Sequence, residues 1–112
     1  MLKKKNRLKR KKDFGAVFKK GKGTKEGFLF LKYISNGLED SRCGIMVSRK
    51  VSKKATVRNK IKRRIGDIIA QKLQDIKKGK DFILVALPGL ETEGFREIEK
   101  TINKLLKKAN LL

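Results

Sequence analysis

Between Lys53 and Arg64 the chain carries seven cations (Lys53, Lys54, Arg58, Lys60, Lys62, Arg63 and Arg64) and no anion. Val57 and Ile61 stand four apart among them, a helical spacing. At the start of a helix the backbone dipole favours anions, so each exposed cation there is unfavourable by about 0.3–1 kcal/mol. Local stability does not explain the choice; a bound anion does. Free N–H groups at a helix start, flanked by Arg and Lys, suit a phosphate. At about 100° per residue, Asn59 and Arg63 point away from the apolar stripe. Lys60 and Arg64 fall on one flank and Lys62 near the other, while Arg58 projects into the stripe at the rim of the core. Cations then surround the helix, which suits insertion among nucleic-acid strands. The plainer reading is a solvated basic face, because blocks of Lys and Arg are common in generic patches.

Bond-breaking chemistry has no obvious seat. The chain lacks histidine, the usual acid/base at neutral pH. A two-metal nuclease needs carboxylates converging on ions about 3.5–4 Å apart, and the 11 acids are scattered. Asp67 and Asp75 are eight apart, and Glu93, Glu97 and Glu99 surround a later helix. No Gly-rich phosphate loop, zinc-ligand cluster or nucleophile elbow is present. No catalytic and no metal-ligating residues are therefore assigned. Cys43, alone and inside an apolar run, reads as a small buried side chain in a reducing cytosol.

The elements that must position the basic stretch follow from periodicity. Residues 1–11 read as a basic arm, disordered in its plainest form. Asp13–Lys20 reads as a short helix with Phe14, Val17 and Phe18 on one face and Gly21 as its stop. Lys22–Glu26 looks like a polar loop. Phe28–Ile34 and Arg42–Arg49 look like strands, joined as a hairpin through the turn SNGLED. The basic stretch opens a long helix, about Ala55 to Lys77, striped by Val57, Ile61, Ile65, Ile68, Ile69, Leu73 and Ile76. Asp81–Leu87 is a near-continuous apolar run, as for a strand buried on both faces. Thr92 is the expected cap of a last helix striped by Phe95, Ile98, Ile102, Leu105 and Leu106. The fold class is α+β, one domain over 1–112 in the order α-β-β-α-β-α, with a mixed sheet of four strands or fewer packed by helices.

Composition agrees with a polyanionic partner. The 112 residues hold 32 Lys and Arg against 11 Asp and Glu, for a net charge of +21. Residues 1–64 carry +19 of it and residues 65–112 only +2. Such an excess on one part of a molecule points to nucleic acid. The apolar runs are too short to span a bilayer, and the basic N-terminus has no apolar stretch behind it. No membrane is implied. No wedge residues in an arm suggest an architectural role on DNA.

The order of the residues carries more. SRKVSKKATVRNKIKRRI closely resembles the signature of the bacterial ribonuclease P protein component, through Ser48, Arg49, Lys50, Arg58, Asn59, Lys60, Lys62 and Arg63. A second match runs through Arg7-Leu8-Lys9, Asp13-Phe14, Val17-Phe18 and Gly21. The resemblance implies a protein cofactor of a ribonucleoprotein enzyme in the cytoplasm. Its RNA subunit performs magnesium-dependent removal of the 5′ leader from precursor tRNA. By the same resemblance Arg49, Lys50, Lys54, Arg58, Asn59, Lys60, Lys62, Arg63 and Arg64 contact the RNA subunit, and Phe14 and Phe18 line a cleft for the leader. It further implies a ribosomal protein S5 domain 2-like fold with a left-handed crossover into the Asp81–Leu87 strand. Two positions depart from the pattern. Lys60 keeps a cation where arginine is usual but loses the planar fork, and Gly66 stands where a further arginine is common. A structural RNA-binding protein, such as a small ribosomal protein, fits size, charge and layout too.

Overall fold

The computed structural model describes residues 2–112. Helix α1 (Lys11–Lys20) leads into strands β1 (Lys22–Glu26), β2 (Leu29–Ser35) and β3 (Arg42–Val47). Helix α2 (Ala55–Lys72), strand β4 (Lys80–Ala86) and helix α3 (Phe95–Lys108) follow. The sheet order is β1-β2-β4-β3; β4 pairs antiparallel with β2 and parallel with β3.

The apolar run on β4 explains that order. Phe82, Ile83 and Leu84 are all fully buried, so β4 takes a central place with helices on both faces. On one face Phe82 and Leu84 join Leu29 and Leu31 of β2. Onto them pack Ile61, Ile65, Ile68 and Ile69 of α2, and Ile98, Ile102, Leu105 and Leu106 of α3. Each such side chain contributes about 1.5–3 kcal/mol by leaving water. On the other face Ile83 meets Val17 of α1 and Leu8, with Phe14, Ile34 and Val85 beside them.

Five expectations need correction. Lys22–Glu26 is a strand, paired with β2 across a tight turn in which Gly27 adopts φ +55°. It is an edge strand with little buried surface, so no apolar alternation announced it. The expected hairpin between β2 and β3 does not form, because β4 lies between them. Helix α2 ends at Lys72, although Ile76 of its stripe is still buried in the turn that follows. Helix α3 is capped at Gly94; Thr92 sits in a preceding 3-10 turn, its hydroxyl donating to the Gly89 carbonyl at 2.6 Å. Phe95, expected in the α3 stripe, is 40% exposed.

The N-terminal segment lies along the domain. Leu2 and Leu8 are buried, one in each apolar cluster. Asn6 is 5% exposed and donates its amide to the Ser41 carbonyl at 2.9 Å. The Leu8 N–H donates to the Cys43 carbonyl at 3.0 Å, and Arg7 bridges Cys43 in parallel fashion at the outer edge of β3. Three uncharged side chains hold a segment whose remaining residues are almost all cations.

Candidate nucleic-acid interface

The loop from β3 to α2 is held by its own hydroxyls. Ser48 Oγ accepts from the Lys50 N–H and Ser52 Oγ from the Lys54 N–H, both at 3.2 Å. Arg58 reaches back from the first turn of α2 and donates Nη1 to the carbonyls of Ser52 at 2.9 Å and Lys53 at 3.0 Å. The guanidinium thus fixes the entry of the helix and stays half-buried at its rim, as the projection of position 58 suggested. Lys54 is the N-cap residue, with no side-chain cap, and the first turn holds no acid. The leading N–H groups of a strongly basic helix therefore have no side-chain partner.

Around that start, Arg49, Lys50, Lys54, Asn59, Lys60, Lys62 and Arg63 are exposed, and Arg64 is half-buried. Arg49 and Lys50 line a shallow hollow of about 400 Å³ with Lys53, which the motif alone did not single out. Asn59 is the fifth residue of α2.

A second concavity, of about 580 Å³, joins the two sets of residues the sequence kept apart. Phe14 of α1 lines it together with Lys62 and Arg63 of α2, and Cys43, Gly44 and Ile45 of β3 form its floor. Arg7 and Lys9 of the N-terminal segment stand on its near side. Gly44 is required there, because a Cβ would lie 2.6 Å from the Phe14 ring. Phe18 does not line this cleft. It is 37% exposed on α1, the helix whose Val17 packs on the sheet face that carries Ile83 and Val85. Phe30 and Met46 are the cross-strand partners of Val85 and share that face, with Met46 41% exposed. Neither was legible before the register was known.

Helix α1 is fastened at both ends by cations of the sheet. Arg42 donates to Asp81 at 2.9 and 2.6 Å in a bidentate pair and reaches Asp13 of α1 at 3.4 Å. The hydrogen bond to Asp81 raises the Arg42 pKa further, with both carboxylates adding to it against desolvation. Lys32 donates to the carbonyls of Phe18 at 3.4 Å and Gly21 at 3.2 Å, closing the C-terminal end. Phe14 and Phe18 are therefore presented by a fixed helix. Cys43 is buried, which pushes its thiol pKa up and keeps it protonated. Among the described residues no three His, Cys, Asp or Glu side chains are grouped to hold a metal ion. None of the described helices is long and apolar enough to cross a membrane.

Known proteins share this arrangement along nearly the whole chain. A family model described as Ribonuclease P matches residues 2–110. The ribonuclease P protein component of Streptococcus pyogenes serotype M49 is 36% identical over 111 residues, 99% of this chain and 92% of that one. Among solved structures, a Staphylococcus aureus ribonuclease P protein, a mutant with defective mRNA degradation activity, matches with a TM-score of 0.91. The identity is 29%, over 97% of this chain and 92% of that one. The Thermotoga maritima ribonuclease P protein matches with a TM-score of 0.83 at 33% identity, over 91% and 96% of the two chains. The family model, the sequence identity and the structural match agree, and the chain belongs to the bacterial ribonuclease P protein family.

Proposed function

We propose that the chain binds the catalytic RNA of ribonuclease P and the 5′ leader of precursor tRNA, and so assists magnesium-dependent removal of the leader. The start of α2 carries this reading: a helix end with no acid and no side-chain cap, ringed by Arg49, Lys50, Lys54, Arg58, Lys60, Lys62, Arg63 and Arg64. Such a surface is costly until phosphate neutralises it, and neutralisation lets two polyanions approach each other. Asn59 adds an amide that can bond a base edge or a sugar. Phe14 and Phe18 offer rings to unpaired leader bases, at about 1–3 kcal/mol per stacked base.

The protein's part is placement. It has no histidine, and Asp13 and Asp81 are held by Arg42. Hydrolysis and its magnesium belong, on this reading, to the RNA subunit. The protein works in the cytoplasm, with no role on a membrane or on DNA.

The test mixes the chain with a bacterial ribonuclease P RNA and precursor tRNA at low magnesium. Cleavage at the mature 5′ end should be much faster than with the RNA alone, and absent with protein alone. RNA binding without stimulation would leave a structural RNA-binding protein in its place. Cleavage by protein alone would make it a nuclease in its own right.

A further inference from the structure

We propose that the hollow between the N-terminal segment and the C-terminal part of α2 is a binding site for one adenine mononucleotide, with Lys3 and Lys78 on its phosphate and Asn6 on its ring. The inference does not rest on the RNA-binding reading above. The hollow shares only Leu2 with the cleft beside Phe14, and none of the cations at the start of α2 lines it.

Its volume of about 350 Å³ is that of a small-ligand site. The floor is apolar. Leu2 is buried there, and Ala70 of α2 and Leu73 just beyond it are half-buried. A short side chain at position 70 leaves depth for a ring. Lys3, Lys5 and Lys78 also line the hollow, and no acid does. Lys5 has Asp40 at 3.9 Å, whereas Lys3 and Lys78 have no ion-pair partner among the described residues. Cations brought together from two distant parts of the chain repel one another until an anion lies between them.

Asn6 narrows the choice of anion. It is 5% exposed, and its Nδ2 donates to the Ser41 carbonyl at 2.9 Å. Among the described residues its Oδ1 accepts no hydrogen bond, yet it is not sealed from solvent. Asn6 lines the hollow, so this acceptor opens onto it and calls for an N–H or O–H donor.

The occupant follows from these groups. The lysines need an anion, the floor needs a flat apolar body, and Asn6 Oδ1 needs a donor on that body. A phosphate, a purine ring and its exocyclic amino group supply all three in one molecule. Gln74, exposed at the mouth, offers a donor and an acceptor to the ring nitrogens. A fatty acid lacks the donor, and inorganic phosphate lacks the body.

The test titrates AMP into the full-length chain, labelled with nitrogen-15, and follows the amide signals by nuclear magnetic resonance. AMP should shift the Asn6 side-chain amide and the backbone amides of Ala70 and Gln74 in a saturable way, and inorganic phosphate at equal ionic strength should not. IMP, which carries an oxygen in place of the amino group, should bind about tenfold more weakly. Lys3→Ala/Lys78→Ala should also bind AMP about tenfold more weakly. Lys104→Ala/Lys107→Ala removes the same charge from exposed positions of α3 and should match wild type. Ala70→Leu places a good helix former at a half-buried position, so the chain should keep its far-ultraviolet circular dichroism. Its longer side chain should fill the floor and weaken AMP binding by about tenfold or more. Equal shifts from AMP and phosphate would make the hollow a generic anion contact and overturn the proposal. So would AMP shifts confined to the start of α2, or wild-type AMP binding by the Lys3→Ala/Lys78→Ala and Ala70→Leu variants.

Discussion

Arg58 shows why a single motif residue can carry two duties. Its guanidinium ties the Ser52 and Lys53 carbonyls to the first turn of α2 while lying among the cations expected to meet RNA. Arg58→Ala should therefore do two measurable things. Thermal unfolding should show a loss of about 1 kcal/mol for the missing hydrogen bonds. The salt dependence of RNA-subunit binding should become shallower by about one phosphate contact. Loss of stability with an unchanged salt slope would restrict the residue to its structural duty. Phe18 separates differently. It is the more exposed of the α1 rings, so Phe18→Ala should cost little stability and should lower affinity for leader-bearing tRNA relative to mature tRNA by about tenfold. Equal effects on both substrates would remove it from the leader site. Spacing alone could not divide these labours. Phe14 and Phe18 are four apart and read alike in sequence, and only the seating of Phe14 against Gly44 distinguishes them.

At the scale of elements, position is set by pairs of contacts from the two strands that flank β4. Helix α1 is fastened by Arg42 and Lys32 and rests its Phe14 ring on β3. Gly44→Val would push a branched side chain into that ring, which must move. Overpacking of this kind costs about 1–3 kcal/mol. The melting temperature should fall and leader discrimination should weaken with it, whereas RNA-subunit binding through α2 should be retained. The helices were legible because their stripes are long: α2 was read from seven positions at helical spacing. Strand pairing was not. KGTKE has no buried face to alternate, and the turn SNGLED looks like a hairpin loop although its flanking strands are separated by β4. Which strands become neighbours depends on a run some forty residues away. The course of the N-terminal segment along the domain is not legible in sequence for a related reason. Leu2, Asn6 and Leu8 are anchors spaced among cations, and anchoring depends on the surface they meet.

The whole molecule is lopsided, with +19 of its +21 in the first 64 residues. Ion pairs relieve little of that. Those between Lys5 and Asp40 and between Lys100 and Glu97 are long at 3.9 Å and exposed. Raising ionic strength from about 0.01 to 0.15 M shortens the screening length from about 30 to about 8 Å. The melting temperature should climb by several degrees over that range, followed by circular dichroism in sodium chloride. A flat response would mean that the charge does not strain the folded state. The same molecule also has a timetable written into its sheet. Among the described residues β3 has no strand neighbour except β4, which follows it by way of the whole of α2. On the ribosome the β1–β2 hairpin can close as soon as Ser35 emerges, but β3 must wait until residues 80–86 have been made. Until then the strand that ends beside the basic loop waits with one edge unpaired, so the surface proposed to meet RNA is among the last parts of the chain to take shape.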